Sequence, residues 1–288
     1  MDKNIDYKNL SEITVNTQEE LDRIPLDFKG RIYVEFGTYD NPAVVENEYS
    51  LRVVARKGSC IEARRDGFVQ AEDKSMIIAR EESNAVAHDN SSIEARDNST
   101  VYAYDTSRIV AWGRSRVFSQ DDAIIEAREH STVKAWKGSI IAAYNRSTIV
   151  AFNKSSVVAW GKSKVHSENR SSVEAHDQSK VNALGYSKVE AYDFSTVQAG
   201  QESDVVAYDN SVVVANESSI VNSYDNSIIV VNGHSSVEAE GKSLVTAHDN
   251  SSVVARDNSD VVAMDDSTVE SYDNSTVELR DNAQLVNA

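Results

Sequence analysis

Residues 267–274 read Ser-Thr-Val-Glu-Ser-Tyr-Asp-Asn, and this eight-residue pattern, S-x-V-x-A-x-D-N, recurs without a break from Ser59 to the last residue. With Ser59 at position 1 there are 29 units. Position 1 is Ser in 26 of them, the exceptions being Gly67, Ala123 and Ala283. Position 3 is Val, Ile or Leu in 28, with Ala85 the exception. Position 5 is Ala or Ser in 26, with Val231, Leu279 and Asn287 the exceptions. Leu51, Val53 and Ala55 suggest one degenerate unit before the first regular one.

Positions 1, 3 and 5 alternate with variable positions 2, 4 and 6. That is the two-residue period of a strand with one buried face; on a helix the same positions would scatter around the axis. Positions 7 and 8 are Asp-Asn or Gly-Lys in many units, residues that tolerate a left-handed backbone and make local hydrogen bonds. Each octad therefore reads as one short strand and one corner. Such a strand cannot bury its Ser-Val-Ala face alone, whereas stacked copies share a continuous narrow core.

Position 6 sets the coil size. At every second unit it is Arg64, Arg80, Arg96, Trp112, Arg128, Tyr144, Trp160, His176, Tyr192, Tyr208, Tyr224, Glu240, Arg256 and Tyr272, almost all Arg, His or aromatic. The interleaved set, beginning Glu72, His88, Tyr104 and Gln120, is mixed. The expected fold is an all-β, single-stranded β-solenoid (β-helix) of 16-residue, two-strand coils. With about 14 coils at roughly 4.8 Å each, it would be a rod about 65–70 Å long. The enriched side is called face A. The position-1 hydroxyls are expected to bond to corner backbone, satisfying the serine ladder.

Residues 1–50 lack the octad. Thr17-Gln18-Glu19-Glu20-Leu21-Asp22-Arg23-Ile24 predicts a short helix capped by Thr17 or Asn16, ended by Pro25. Arg31–Phe36 predicts a strand, followed by a turn from Gly37 to Pro42. The expected organisation is a small N-terminal α/β cap over 1–50, covering the open edge and core of the first coil, and a solenoid over 51–288.

The register S-x-[VIL]-x-A, two octads to a coil, resembles the repeat array of bacterial ice-nucleation proteins and related β-solenoid ice binders over roughly residues 51–288. The resemblance implies the fold. The outward Thr-x-Thr rows of that family are missing: position 4 is Thr only at Thr246, and Glu or Val dominates elsewhere. Acidic pentapeptide-repeat solenoids, which mimic DNA, offer an analogy of logic only, because their five-residue motif is absent.

Net charge is −17, which argues against direct nucleic-acid binding over the whole surface. A single cysteine, Cys60, excludes an intrachain disulfide framework. The polar N-terminus lacks a signal-peptide pattern, and no run of about 18 apolar residues marks a membrane span, so a cytoplasmic protein is expected. The six histidines fall at different octad positions and form no ligand or triad pattern. No catalytic site, cofactor or metal is expected.

Function must lie on the outward positions. On face A, the ladder Arg96, Trp112, Arg128, Tyr144, Trp160, His176, Tyr192, Tyr208 and Tyr224 has the composition of a partner-binding strip. Aromatic ladders also stabilise sheets, so that reading stands beside a purely structural one. Charge is segregated along the chain: −7 over residues 1–100, +4 over 101–190 and −14 over 191–288. In the middle segment Arg114, His130, Arg146 and Lys162 recur at 16-residue spacing along one corner, a candidate anion-binding row beside the plainer reading of a solvated edge. Leu279 and Leu285 near the C-terminus replace smaller residues and are expected to pair two chains into a homodimer. The sequence thus supports a non-catalytic acidic binding protein that inhibits or scaffolds a protein partner, including as a nucleic-acid mimic. The alternative is a structural protein assembling end to end, as bactofilin-like solenoids do, and ice binding, implied by the resemblance but lacking its threonine rows, is a third reading.

Overall fold

The computed structural model describes residues 7–46 and 51–287. Among them are 33 strands, nearly all of four residues. The chain is a parallel β-solenoid with two sheets and 16-residue coils. It has about 17 coils rather than the expected 14. The difference arises before Ser59, where strands stack without the octad. They are β1 (Glu12–Val15), β2 (Arg31–Val34), β3 (Ala43–Glu46) and β4 (Arg52–Ala55). β1 pairs in parallel with β2, and β2 with β4, so that Ile13, Ile32 and Val53 fall in one row. β3 pairs with the first octad strand, Cys60–Arg64. Parallel pairing needs only backbone and an apolar inner face, which Ile13, Val15, Ile32, Val34 and Val45 supply as buried residues. The boundary assigned at residue 50 lies outside the described residues.

The short helix α1 (Gln18–Asp22) joins β1 to β2. Thr17 caps it by accepting from the Glu20 amide, and Glu20 reaches back to the Asn16 amide at 2.8 Å, a capping box displaced by one residue. Gln18 then protects an edge. Its amide oxygen accepts from Val44 N, and its amide nitrogen donates to Val44 O. The outer edge of β3 is thereby occupied rather than left open.

The chain forms two compact units, Met1–Ile141 and Ala142–Ala288. In each, one sheet carries face A and the other carries the opposite face, called face B. In the first unit face A stacks Cys60–Arg64, Met76–Ala79, Ser92–Ala95 and Arg108–Ala111 in register. In the second it stacks Ser156–Ala159, Ser172–Ala175, Lys188–Ala191 and Asp204–Ala207, with Val157, Val173, Val189 and Val205 in one inward row. Position-3 side chains are buried up to Val269, and almost all position-1 serines and position-5 alanines of the two units are fully so.

The corners have their own ladder. Position 7 holds a left-handed backbone, as at Asp193 (φ +57°) and Asp209 (φ +55°). Its carboxylate accepts from the position-7 amide one coil earlier: Asp193 from Asp177 N at 3.1 Å, Asp209 from Asp193 N at 3.1 Å, Asp249 from Gly233 N at 2.9 Å. The acidic corner residue thus fits the αL geometry and clips successive coils together. This role was not foreseen in the octad.

The serine ladder is satisfied only in part. Ser155, Ser171, Ser187 and Ser203 donate to the carbonyl three residues back, at 2.6–2.7 Å. Ser147, Ser163, Ser179, Ser195 and Ser211 are fully buried, and their hydroxyls find no partner. At four of these corners the serine amide holds the carbonyl three residues back, as Ser179 N does with His176 O and Ser195 N with Tyr192 O.

Candidate functional site

The ladder on face A differs between the two units. In the first, its members form ion pairs and cation–π contacts. Glu62 is almost fully buried between Arg64 Nε and Arg80 Nε, at 2.9 and 2.8 Å. Arg96 pairs with Glu94, which also accepts from the Tyr39 hydroxyl at 3.1 Å. Arg128 bonds Glu126 and lies 4.5 Å over the Trp112 ring. Cys60 is buried here, and burial together with the Glu62 and Glu94 carboxylates pushes its thiol up to about 11, which keeps it unreactive.

In the second unit the ladder becomes a column of rings. Trp160 stacks on His176 with centroids 4.2 Å apart, His176 on Tyr192 at 5.0 Å, Tyr192 on Tyr208 at 4.9 Å, and Tyr208 on Tyr224 at 5.3 Å, all within 14° of parallel. The 16-residue pitch sets this spacing, since position 6 recurs once per coil. Ring faces are spent on one another. Tyr144 is half-buried in the same unit. Two carboxylates brace the column: Glu174 holds His176 Nε2 at 2.7 Å, and Glu190 accepts from the Tyr192 hydroxyl at 2.9 Å. Partial burial and Glu190 push the Tyr192 phenol up to about 12.

Beside this column lies a shallow depression of about 540 Å³, floored by Ser172, Glu174, Lys188, Glu190, Asp204 and Val206 on positions 2 and 4. On the side away from the rings it runs to an unusual corner. At Asn153-Lys154, Asn169-Arg170, Gly185-Tyr186 and Gln201-Glu202 both residues have positive φ, between +52° and +68°. The corner hydrogen bonds run in the reverse sense here. Arg170 N donates to Gly185 O at 2.9 Å and Tyr186 N to Gln201 O at 3.1 Å, one coil forward. At many other corners the bond points one coil back, as Asn210 N does to Asp193 O. The bonded hydroxyls of Ser155, Ser171, Ser187 and Ser203 lie at these four corners, and Ser243 and Ser259 make the same bond at ordinary ones. Arg170 and Tyr186 line the depression's margin with Lys188 and Asp204, and Tyr186 is 54% exposed.

The candidate anion row divides between the units, Arg114 and His130 in the first and Arg146 and Lys162 in the second, and all four side chains are exposed. The position-7 carboxylates Asp257, Asp265 and Asp273 each hold a backbone amide, so their first role is in the corner. Among the described residues no group of three or more His, Cys, Asp or Glu is placed to hold a metal, and no helix is long and apolar enough to cross a membrane. Leu279 and Leu285 are 42% and 40% exposed.

The reversed corners escaped the sequence reading because Asn, Gly and Gln at position 7 fit either geometry; only the bulky Tyr186 at position 8 hinted at them. On face B of the second unit, Val212, Ile228, Leu244, Val214, Val230 and Val262 form two apolar columns that were also missed. The 16-residue step that revealed the ladder, applied to positions 2 and 4, finds them. No family model, curated protein or solved structure matches the chain, so nothing in these comparisons supports a resemblance to ice-nucleation arrays, and what stands is the solenoid of 16-residue coils.

Proposed function

We propose that this chain is a non-catalytic binding protein, an acidic solenoid whose face A holds a protein partner between residues 153 and 224 and so scaffolds or inhibits it. The observation that carries this reading is the strained corner. A left-handed backbone costs a non-glycine residue about 1–2 kcal/mol. Lys154, Arg170, Tyr186 and Glu202 adopt it in four successive coils. One coil earlier the same corner is left-handed at Gly138, where glycine bears no such cost, and Asp122 and Ser218 beyond either end of the run avoid it. Strain repeated beside a depression, with an exposed aromatic ring on its rim, points to recognition rather than stability. Arg170 and Lys188 lie among Glu174, Glu190, Glu202 and Asp204, a mixture that suits a protein surface better than a polyanion. The −14 of residues 191–288 would favour a partner with a basic surface, the one respect in which the chain acts as a nucleic-acid mimic.

The test is site-specific photo-crosslinking from Ser172 on face A and from Lys180 on face B, in the full chain. The expected result is one partner adduct from position 172, lost when salt is raised before irradiation. Equal adducts from both positions, or none from 172, would overturn the reading.

A second reading, a homodimer or an end-to-end assembly, takes the exposed Leu279 and Leu285 as contacts between copies. Light scattering at micromolar concentration distinguishes it: a species that becomes monomeric with Leu279→Lys and Leu285→Lys supports assembly, and a monomer without them refutes it.

A further inference from the structure

The two apolar columns on face B have no counterpart on face A of the same unit, where positions 2 and 4 are mostly charged or polar. Val212 pairs with Ile228 and Ile228 with Leu244, in one column. Val214 and Val230 lie in the other, and Val262 follows one coil beyond Thr246. Ile228 is 42% and Leu244 44% exposed, so ordered branched side chains face solvent on a flat sheet. Natural sheets usually interrupt such a surface with charge. This one has its charge at the margins. Along one corner run Asp209, Asp225 and Asp257, along the other Glu217, Asp249 and Asp265, all exposed. Each of these six carboxylates bonds one backbone amide of the preceding coil, which fixes its position and leaves its charge in place. Asp260 closes the column after Leu244. Lys242 is the one lysine on these corners.

From these observations we infer that face B between residues 212 and 262 is a docking plateau for an amphipathic helix with an apolar stripe flanked by Lys or Arg. The dimensions agree. A four-residue strand spans about 13 Å between its corners, and an α-helix is about 10–12 Å across. Four stacked strands at roughly 4.8 Å give a plateau 15–20 Å long, enough for about 10–13 helical residues at 1.5 Å each. Apolar contact provides the affinity, and the acidic margins select the charge of the flanks and the direction of approach. The same margins oppose the other occupants of a flat apolar face. A second copy would bring two carboxylate-rimmed plateaus together, and an anionic lipid surface would be repelled. The plateau lies on the sheet opposite the ladder, and its occupant is independent of the partner on face A.

The probe is a synthetic 14-residue peptide with a leucine stripe flanked by lysines, titrated into the full chain by fluorescence anisotropy, with circular dichroism reporting helix formation. Two control peptides are used: one with the same composition scrambled to remove the stripe, one with lysine replaced by glutamate. Binding with gain of helix is expected, weakened at least tenfold by Ile228→Lys with Leu244→Lys and unchanged by Ser172→Arg on face A. Both plateau residues are exposed, so the double variant should keep its β spectrum and melting behaviour. Equal binding of the scrambled peptide would reduce the effect to net charge and overturn the inference. So would equal binding by the plateau variant, or light scattering that shows a dimer dispersed by it. Failure of the peptide to bind refutes the plateau but leaves crosslinking from Ser172 unaffected, so the two readings fail separately.

Discussion

Ser187 and Ser195 occupy the same position of successive octads, and both are fully buried. Replacing each with alanine should have opposite effects. The Ser187 hydroxyl donates to Leu184 O at 2.6 Å, at a corner whose backbone bond is reversed. Removing it forfeits a hydrogen bond with a net contribution of about 0.5–1.5 kcal/mol and leaves a carbonyl short of a partner, for a total of about 1–2 kcal/mol. The Ser195 hydroxyl has no partner, while the Ser195 amide bonds Tyr192 O at 3.1 Å. An unpaired buried hydroxyl costs about 1–3 kcal/mol on mutational scales, so Ser195→Ala should be neutral or stabilising by up to about 1 kcal/mol. The two variants should therefore differ by about 2 kcal/mol, although a sequence profile would score them alike. Urea unfolding followed by circular dichroism measures the difference, provided the slope with denaturant is unchanged. Because a solenoid can unfold in segments, amide exchange at Ser187 and Ser195 should accompany it. Equal destabilisation by both would mean that the two hydroxyls are paired alike, and the division of the serine ladder into bonded and unpaired members would be refuted.

Tyr192→Ala removes stacking against both His176 and Tyr208, each worth about 0.5–1.5 kcal/mol, and should destabilise by about 1–3 kcal/mol; a loss below about 0.5 kcal/mol in urea unfolding would show that the column contributes little to the fold. Val189→Asp places a carboxylate in the inward row between Val173 and Val205, and should cost at least about 4 kcal/mol at neutral pH, detected as early loss of exchange protection around coil 188–204. Tyr192 should titrate late: with its phenol held near 12 in the fold against about 10 when free, absorbance at 295 nm should show a step that Tyr192→Phe removes. The sign follows. A raised phenol favours the neutral ring, so its share of stability is complete below about pH 10 and is lost as pH rises towards 12. A melting temperature that rises over that interval would contradict it.

Much of the fold was legible because a two-residue period, a two-residue corner and an unbroken register allow one architecture, and position 6 set the coil at two octads. The first coils were not, since Ile13, Ile32 and Val45 stack without the Ser-Val-Ala signature. Pairing through backbone leaves no sequence mark beyond alternation. The ladder was legible as a column, but its chemistry was not: whether a ring offers its face to a partner depends on the distance to the next ring, and at 4.2–5.3 Å the faces are taken. The reversed corners depend on peptide orientation, which the Asn-Lys, Asn-Arg and Gly-Tyr pairs do not reveal.

The acidic character of the chain illustrates how repeat chemistry can be mistaken for function. Position 7 needs a residue that accepts a left-handed backbone and can reach the amide one coil away; aspartate meets both demands, and asparagine or glycine meets the first. A sequence that repeats this corner becomes acidic whatever it binds. The carboxylates of Asp193, Asp209 and Asp225 are therefore weak evidence for a basic partner when taken alone. What the repeat does not require is more telling. No corner needs tyrosine at a strained position 8, and no sheet of this kind needs valine, isoleucine and leucine outward in adjacent columns. Recognition is best sought where the octad tolerates a cost it does not need, at Tyr186 on face A and at Ile228 and Leu244 on face B.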